Sequence, residues 1–369
     1  MFNFDDFKNK EIFHFINNYK NKIKNFDNYF FKIRDKKRFL VAKKCNRTVI
    51  TEFGKVTYNR RIYYDKVKKD YICFTDKYFN INKRAKITND FKNEIIKNIG
   101  KGKRYQDIKD EYKYSDISIM SISNIIKNAK LKLINLPKIK LLENQKLYIN
   151  MDDCFINLIN ENFDKVTYRI RIISFNTGLN KSKYQIKDTL INKRICFWFD
   201  KLSNKIKNEK FVNFVKNKIN DYYELINNEI IIGGDGAWWI KNVAKKLNAK
   251  YVLDKFHAIK DLWRTFIFDS SFGKFDKYIH AKKLFYNGEA SELLIFLKQN
   301  TKKVDVLSYF NNNAEGIYYQ NEDWNIGVSA ESDVFHLVKS IKGNGAKIYN
   351  YKTFNNMLIA RANLINSKL

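Results

Sequence analysis

The chain has 369 residues, with 70 Lys and Arg against 39 Asp and Glu, and a formal net charge of +31. Hydrophobic residues make up 44% and aromatic residues 16%, which excludes a wholly disordered chain and suffices for about two or three domains. So large a positive surplus repels itself, and nucleic acid is the polyanion that most often balances it. An AT-rich genome also favours Lys, Asn and Ile, but it does not explain why acidic residues fail to keep pace.

Cysteine spacing and hydropathy exclude two further classes of protein. No CxxC pair occurs, which argues against a zinc site of the usual spacing and favours reduced thiols in a cytoplasmic protein. Charged residues interrupt every apolar stretch near the N-terminus, so no signal peptide is expected. No apolar run reaches the roughly 18 residues of a membrane helix. We therefore expect no membrane partner and a cytoplasmic, nucleoid-associated protein. The cysteines are Cys45, Cys73, Cys154 and Cys196.

Aromatic residues recur at helical spacing over residues 1–40. We expect either an arm that contacts a second copy or a helix that packs on its own domain. The next stretch, 46–75, is rich in β-branched and aromatic residues, and Gly54 lies where a hairpin would turn. This predicts a small basic β-module. The predicted helical face consists of Phe4, Phe7, Ile12, Phe15, Ile16 and Tyr19.

Helical spacing returns after residue 86. Thr88 can cap a first helix that Gly100 closes, and two short helices separated by a turn follow at 105–112 and 118–127. This arrangement is typical of a helix-turn-helix domain, although other small helical bundles have similar spacing. The second short helix would expose residues that can reach base edges and phosphates. They are Ser121, Asn124, Lys127 and Lys130.

From residue 145 the pattern changes to strands that alternate with helices. Three strands are followed by a helix, a strand, a second helix and a last strand. This is the element order of a ribonuclease-H-like domain, so the predicted fold class is α/β with a helical insertion after residue 257. We expect the strands at 146–151, 166–175, 194–199, 230–232 and 251–253, and the helices at 207–227 and 237–247.

Two aspartates, Asp152 and Asp235, follow predicted strands, and carboxylates at the ends of adjacent strands converge. Carboxylates alone would repel a polyanionic substrate. Mg²⁺, for which Mn²⁺ can substitute, binds carboxylate and phosphate oxygens together and so removes this repulsion. Two such ions about 3.5–4 Å apart can stabilise the attacking and leaving oxygens of a phosphoryl transfer. Glu331, near the start of a predicted helix, is the candidate third acid. The alternative for any single aspartate is a turn or a helix cap.

Several segments resemble one known family. The chain is similar to the ISLre2-type, UPF0236 family of DDE transposases in GDGAWWIK (234–241), YVLDKFHAIK (251–260), AEGI (314–317), SAES (329–332) and TEFGKVTYNRRIYY (51–64). It resembles still more closely the transposase-like proteins of mycoplasma integrative and conjugative elements, whose Lys- and Asn-rich composition it shares.

The resemblance implies cleavage of DNA at the ends of a mobile element and joining of the freed 3′-hydroxyl to target DNA. It makes Asp152, Asp235 and Glu331 the catalytic triad that holds the metal ions. It also implies double-stranded DNA as partner and, because two ends must be joined, a homodimer or larger assembly. His257 would orient substrate or a metal ligand, or else serve as a structural residue. The auxiliary positions are Asp153, Asp254 and His257.

The segment after Glu331 departs from the family pattern. Ser332 and Asp333 stand where the family usually has Gly-His, and residues 339–351 replace an Arg-rich tail. Lysines in that segment can contact phosphates, but as point charges rather than as bidentate forks. Two alternatives to a transposase follow: a DNA-binding regulator that has lost catalysis, and a structure-selective nuclease that cuts without joining. The lysines are Lys339, Lys342 and Lys347.

Tryptophan allows two interpretations, because it can stack on an unpaired base or pack in a core. We expect core packing for Trp238 and stacking for Trp263 and Trp324. The predicted domains are a helical arm (1–45), the β-module (46–85), the helix-turn-helix region with a basic linker (86–144), the catalytic domain (145–257 and 321–350), the helical insertion (258–320) and a C-terminal helical tail (351–369).

Overall fold

The computed structural model describes residues 4–180, 189–204, 208–268, 273–343 and 347–367. The chain divides into two compact units, Met1–Leu131 and Lys132–Leu369. Parts of four predicted domains lie outside the described residues, namely 1–3 of the arm, 181–188, 205–207 and 344–346 of the catalytic domain, 269–272 of the helical insertion and 368–369 of the C-terminal tail.

The first unit consists of a three-stranded antiparallel sheet, ordered β1-β2-β3, with helices before and after it in the chain. A 3₁₀ turn at Lys113–Ser115 separates its last two helices. The elements are α1 (Phe4–Ile33), β1 (Phe39–Thr51), β2 (Gly54–Asp65), β3 (Asp70–Ile72), α2 (Phe74–Tyr78), α3 (Asn89–Gly100), α4 (Tyr105–Glu111) and α5 (Ile119–Asn128).

The hairpin of β1 and β2 carries the core of the first unit. Gly54 pairs with Thr51 at the turn, and its φ of +142° is a conformation that L side chains rarely adopt. A Cβ at Gly54 would lie 3.2 Å from Ile16 Cδ1, so the glycine also lets α1 approach the hairpin. Ile16 and Tyr19 pack against the core, so α1 packs on its own unit, as one of the two alternatives anticipated. That core consists of Ile23, Val49, Val56, Tyr58 and Ile81.

The second unit is a mixed α/β structure, which confirms the predicted class. Its elements are β4 (Ile139–Lys140), β5 (Leu147–Ile159), β6 (Lys165–Asn176), β7 (Gly178–Asn180), β8 (Thr189–Ile191), β9 (Arg194–Lys201), α6 (Asn208–Tyr222), β10 (Tyr223–Glu224), β11 (Ile230–Gly234), α7 (Trp238–Lys246), β12 (Lys250–Leu253), α8 (Lys255–Phe266), α9 (Lys274–Tyr286), α10 (Ala290–Asn300), α11 (Val304–Asn312), α12 (Ala314–Tyr318), α13 (Ala330–Val334), a π turn (Phe335–Lys339), α14 (Ser340–Lys342) and α15 (Tyr351–Asn366).

A five-stranded sheet of order β12-β11-β5-β6-β9 forms the centre of this unit. β5, β6 and β9 are antiparallel neighbours, whereas β11 and β12 run parallel to β5. The main hydrophobic core lies between this sheet and the helices that cover it. Full burial of one such Ile, Leu or Phe side chain is worth about 1.5–3 kcal/mol. The buried residues of this hydrophobic core include Ile149, Ile173, Phe211, Ile240 and Leu262.

Three element boundaries differ from the sequence prediction. The strand predicted at 146–151 continues to Ile159 as β5, so Asp152 lies within this strand and not at its end. Residues 39–45, predicted as part of the helical arm, begin β1, because Phe39 and Leu40 pair with Asp65 and Tyr64 of β2. The helix predicted over 207–227 ends at Tyr222, and the next two residues pair in parallel with β4. Among the described residues, no helix is long and apolar enough to cross a membrane.

Candidate active site at the carboxyl edge of the sheet

Three aspartates lie level with one another where β11 and β12 end beside the middle of β5. β11 runs parallel to β5 with Gly233 opposite Asn150, so that Asp235 lies level with Asp152, two residues further along each strand. Asp254 comes next in the row, because β12 pairs in parallel with β11 and ends directly before it. Two of these acids were predicted as catalytic and the third as auxiliary.

Two glycines make this edge accessible to neighbouring segments. A Cβ on Gly233 would lie 2.5 Å from Val328 Cγ2, so only glycine lets the segment before α13 lie directly over β11. Gly236 has a φ of +98°, and a Cβ there would lie 2.7 Å from Asn313 Nδ2. The tight turn after Asp235 therefore requires glycine.

Burial makes Asp152 an unusual carboxyl group. Its side chain is almost fully buried, and this, together with the neighbouring Asp235, raises the pKa of Asp152 to about 7. One bond opposes the shift: Asp152 Oδ1 accepts a hydrogen bond from the Asp153 backbone N–H at 2.7 Å. A bound cation would relieve the crowding of negative charge that raises this pKa.

Asp254 and His257 form a hydrogen-bonded pair at the start of α8. Asp254 Oδ1 accepts from the Phe256 N–H at 3.1 Å, which caps the helix, while Oδ2 lies 2.7 Å from His257 Nδ1. The bond to Asp254 raises the pKa of His257, and the fields of Asp235 and Asp152 add to the effect. The imidazole thus lies within the field of all three aspartates.

Glu331 approaches the same edge from the opposite end of the chain. Asn150 Nδ2 donates to Ser329 Oγ at 3.0 Å and so fixes the start of α13 beside β5. The Glu331 carboxylate accepts from Lys339 Nζ at 2.7 Å. That bond is the main cause of the raised pKa of Lys339, and Asp152 contributes to it as well. Lys339 therefore lies in the field of both acids.

The side chains of the predicted metal site are not grouped closely enough to hold an ion. In the described part of the chain, no three His, Cys, Asp or Glu side chains are grouped so that they could hold a metal ion. Asp152 and Asp235 do offer a set of oxygen donors that suits Mg²⁺. Glu331 would have to exchange its lysine partner before it could join them.

Asp153 faces the other side of the sheet from Asp152, since side chains alternate along a strand. Arg171 of β6 pairs with it directly across the strands. This buried guanidinium lies over the rings of Trp239 and Phe211, at 4.3 Å and 4.7 Å from their centroids. Burial and Asp235 raise the pKa of Asp153, and the positive charge of Arg171 opposes that shift. No local feature of the sequence singled out Arg171.

The predicted DNA-binding residues are distributed over both units. In the first unit, Ser118 Oγ caps α5 by accepting from the Ser121 N–H at 3.1 Å. Ser121 is half-buried, and the side chains beyond it on this surface are exposed. Lys342 and Lys347 of the second unit are exposed, whereas Lys339 is paired with Glu331. The exposed residues of the α5 surface are Asn124, Lys127 and Lys130.

The tryptophans differ in their surroundings. Trp238 is 64% exposed, so the interpretation that it packs in the core is wrong. It is the first residue of α7. Trp263 is 40% exposed and makes an edge contact with Tyr278. Trp324 is half-buried beside Tyr319, with Lys250 over its ring at 5.0 Å.

Asp333 is a structural residue that sequence reasoning did not assign. It is buried and accepts hydrogen bonds from Ser329 Oγ at 3.0 Å, from Ser174 Oγ at 2.5 Å and from Lys193 Nζ. Its partners come from β6 and from the turn before β9. The departure from Gly-His after Glu331 therefore provides an anchor that ties α13 to the sheet.

The fold and the site define an α/β protein with a row of carboxylates and an Asp–His pair at the carboxyl edge of its central sheet. The chain belongs to UPF0236, described as an uncharacterised protein family, whose model matches residues 10–303.

Curated relatives occur in Caldanaerobacter subterraneus subsp. tengcongensis. One UPF0236 protein of this organism is 24% identical over 320 residues, and a second is 25% identical over 333 residues. Each alignment covers 82% of this chain and 64% of the relative, so the chain spans less than two thirds of the length of these relatives. The name of the first relative joins eleven locus labels and that of the second joins four.

Proposed function

We propose that the chain is a DDE transposase of the ISLre2 type that cuts DNA at the ends of a mobile element and joins the freed 3′-hydroxyl to target DNA. The observation that carries the proposal is the level placement of Asp152 and Asp235 on adjacent parallel strands, with the pKa of Asp152 raised to about 7. Carboxylates crowded in this way are typical of sites that bind divalent cations for phosphoryl transfer.

The strand order supports a ribonuclease-H-like catalytic domain. Three antiparallel strands with two parallel strands added beside the first give the order β12-β11-β5-β6-β9. In that arrangement the first strand lies at the centre, and its acid meets the acid of the fourth strand. Asp152 lies on β5 and Asp235 directly follows β11, which matches those two positions.

In the proposed site, Asp152 and Asp235 hold Mg²⁺ or Mn²⁺, and Glu331 joins them after it leaves Lys339. Such ions, when bound, activate a water and stabilise the leaving oxygen of a phosphodiester. Asp254 orients the imidazole of His257 through Nδ1, so that Nε2 is the nitrogen directed to substrate. Tyr309 donates its hydroxyl to the Asp235 carbonyl at 3.0 Å and steadies the turn.

The proposed partner and cellular location are inferred from the net charge of the chain and from the names of its curated relatives. A net charge of +31 supports binding to double-stranded DNA, with α3 to α5 as a helix-turn-helix region that selects the element end. Names that join many loci of one organism are expected of genes that copy themselves. We therefore propose action on the nucleoid in the cytoplasm, as a dimer or larger assembly, with kinship to the proteins of mycoplasma integrative and conjugative elements.

A second candidate is a DNA-binding regulator that derives from a transposase and has lost catalysis. The ion pair between Glu331 and Lys339 favours it, because the pair keeps the third acid away from a metal ion. This candidate keeps the DNA affinity and lacks strand cleavage.

A strand-joining assay tests the proposal. Purified protein is mixed with Mg²⁺, labelled duplexes made from the borders of the element, and a target plasmid. The transposase is expected to give labelled plasmid that requires a 3′-hydroxyl on the duplex. Cleaved plasmid without label would favour a nuclease, and binding without either product would favour the regulator.

A further inference from the structure

A basic pocket of about 730 Å³ lies in the first unit, between the hairpin and the segment that follows α2. We use this name for the pocket lined by Arg47, Arg60, Asp76, Lys83, Arg84 and Lys86. It belongs to the β-module and is separate from the α5 surface that sequence analysis chose for DNA binding. No role has yet been assigned to it.

Asp76, the acidic residue that lines the basic pocket, is paired with neighbouring side chains. Asp76 Oδ2 pairs with Arg47 at 2.5 Å and with Arg60, while Asp76 Oδ1 accepts from Tyr58 OH at 3.0 Å. All four side chains are buried or nearly so. This single carboxylate therefore neutralises only part of the charge of two guanidinium groups.

Arg47 also fixes the segment that forms the mouth of the pocket. Its Nη2 donates to the carbonyls of Asn82 and Ala85, at 2.7 Å and 2.9 Å. The Ile50 N–H donates to the Lys86 carbonyl at 2.8 Å, so the same segment is bonded to the edge of β1. The cationic side chains at the mouth are thus presented by a backbone held at several points.

The charges of the basic pocket do not balance. Six cationic side chains and the single carboxylate of Asp76 line the pocket, and only Arg47 and Arg60 pair with that carboxylate. Arg60 Nε is buried without a hydrogen-bond partner among the residues that the structure describes. Uncompensated buried donors and crowded cations both favour a bound anion. The pocket is large enough for a phosphate with its attached sugar, and the exposed ring of Tyr71 lies on its wall. The six cations are Arg47, Arg60, Lys77, Lys83, Arg84 and Lys86.

We infer that the basic pocket binds a backbone phosphate of DNA and so anchors the β-module on the duplex. The choice of DNA as the source of the phosphate rests on the proposed function, whereas the anion site itself rests on the pocket. Lys83, Arg84 and Lys86 contact the phosphate and its neighbours, while Arg47 and Asp76 position the walls. The segment after α2 is therefore a DNA-contacting element of this protein.

Removal of three mouth charges tests the inference without disturbing the buried walls. The variant Lys83→Gln/Arg84→Gln/Lys86→Gln is compared with Lys22→Gln/Lys36→Gln/Lys37→Gln, which removes the same charge from exposed positions outside the pocket. Affinity for a labelled duplex is measured over a range of salt concentrations. We expect the pocket variant to lose about tenfold or more in affinity and about 2–3 in the slope of log affinity against log salt, with a much smaller change in the control. Equal losses in both variants would overturn the inference.

A second measurement uses the unaltered protein. Acetylation of lysines, read by mass spectrometry, is expected to fall at Lys77, Lys83 and Lys86 when duplex DNA is bound. Protection of these lysines by inorganic phosphate or by duplex RNA, but not by DNA, would overturn the assignment to DNA. Both readouts are independent of strand cleavage, so failure of the proposed catalysis would leave this test intact.

Discussion

Lys339 Nζ lies 2.7 Å from Glu331 Oε1, and this ion pair decides whether the third acid is available to the carboxylate row. Both side chains are about half exposed, so the pair is weak and can exchange. The lysine lies in the tail segment that departs from the family pattern. A change in the tail thus reaches the proposed catalytic centre through one side chain.

Loss of Lys339 should make the metal site easier to complete. In Lys339→Gln, Glu331 loses its partner, and we expect half-maximal DNA nicking at about two- to fivefold lower Mg²⁺, since an ion pair of up to about 1 kcal/mol no longer competes. The control is Lys342→Gln, which removes an exposed lysine of the same segment. An unchanged or higher Mg²⁺ requirement in Lys339→Gln would show that the pair does not restrain Glu331.

Asp152 should destabilise the metal-free fold at neutral and alkaline pH. Its pKa rises from 3.8 to about 7 on folding, so the folded state favours the protonated acid, and stability falls as pH rises between these two values. Asp152→Asn mimics the protonated form and is expected to raise the free energy of unfolding by about 2–4 kcal/mol near pH 8.

Urea unfolding in the presence of a chelator measures this effect of Asp152. The gain should shrink towards zero near pH 3, where the carboxyl group is largely protonated in both states. A variant that is no more stable than the parent at pH 8 would mean that Asp152 is not desolvated. Asp305→Asn, an exposed aspartate on α11, is the matched control.

Asp333 should be required for the placement of α13. Asp333→Ala leaves Lys193 and two serines without their buried acceptor, and we expect a loss of about 3–5 kcal/mol in the free energy of unfolding. Thermal unfolding against Asp305→Ala measures it. A loss below about 1 kcal/mol, the range of surface ion pairs, would show that Asp333 is not the anchor of α13.

The strand pattern was readable from sequence because the central strands are long, apolar and flanked by glycine or acids. Asp235 could be placed at a strand end for that reason. The strand-end prediction for Asp152 was wrong, because β5 runs on to Ile159, and parallel pairing of β5 with β11 sets the two acids level. The partners of Glu331 and Asp333 could not be predicted, since Lys339 and Lys193 meet them only through the tertiary fold. Trp238 was misplaced because core packing is the commoner environment of tryptophan, and no local signal shows that this ring is exposed.

The basic pocket escaped sequence analysis for a similar reason. Its cations come from β1, β2, α2 and the segment after α2, and in a chain with 70 Lys and Arg the short basic run at 83–86 does not stand out from the rest. Only the fold shows that the carboxylate of Asp76 forms ion pairs with Arg47 and Arg60. Burial and pairing, which depend on distant residues, separate these side chains from the other lysines and arginines.

The acidic site is tested most directly by plasmid nicking with Mg²⁺ or Mn²⁺, comparing the parent protein with Asp235→Asn and with Asp305→Asn as control. DNA binding is measured on the same samples. The account predicts metal-dependent nicking by the parent and the control, and a loss of at least about 100-fold in Asp235→Asn with DNA binding retained. Equal nicking by the parent and Asp235→Asn would contradict the assignment of the carboxylate row as the catalytic centre.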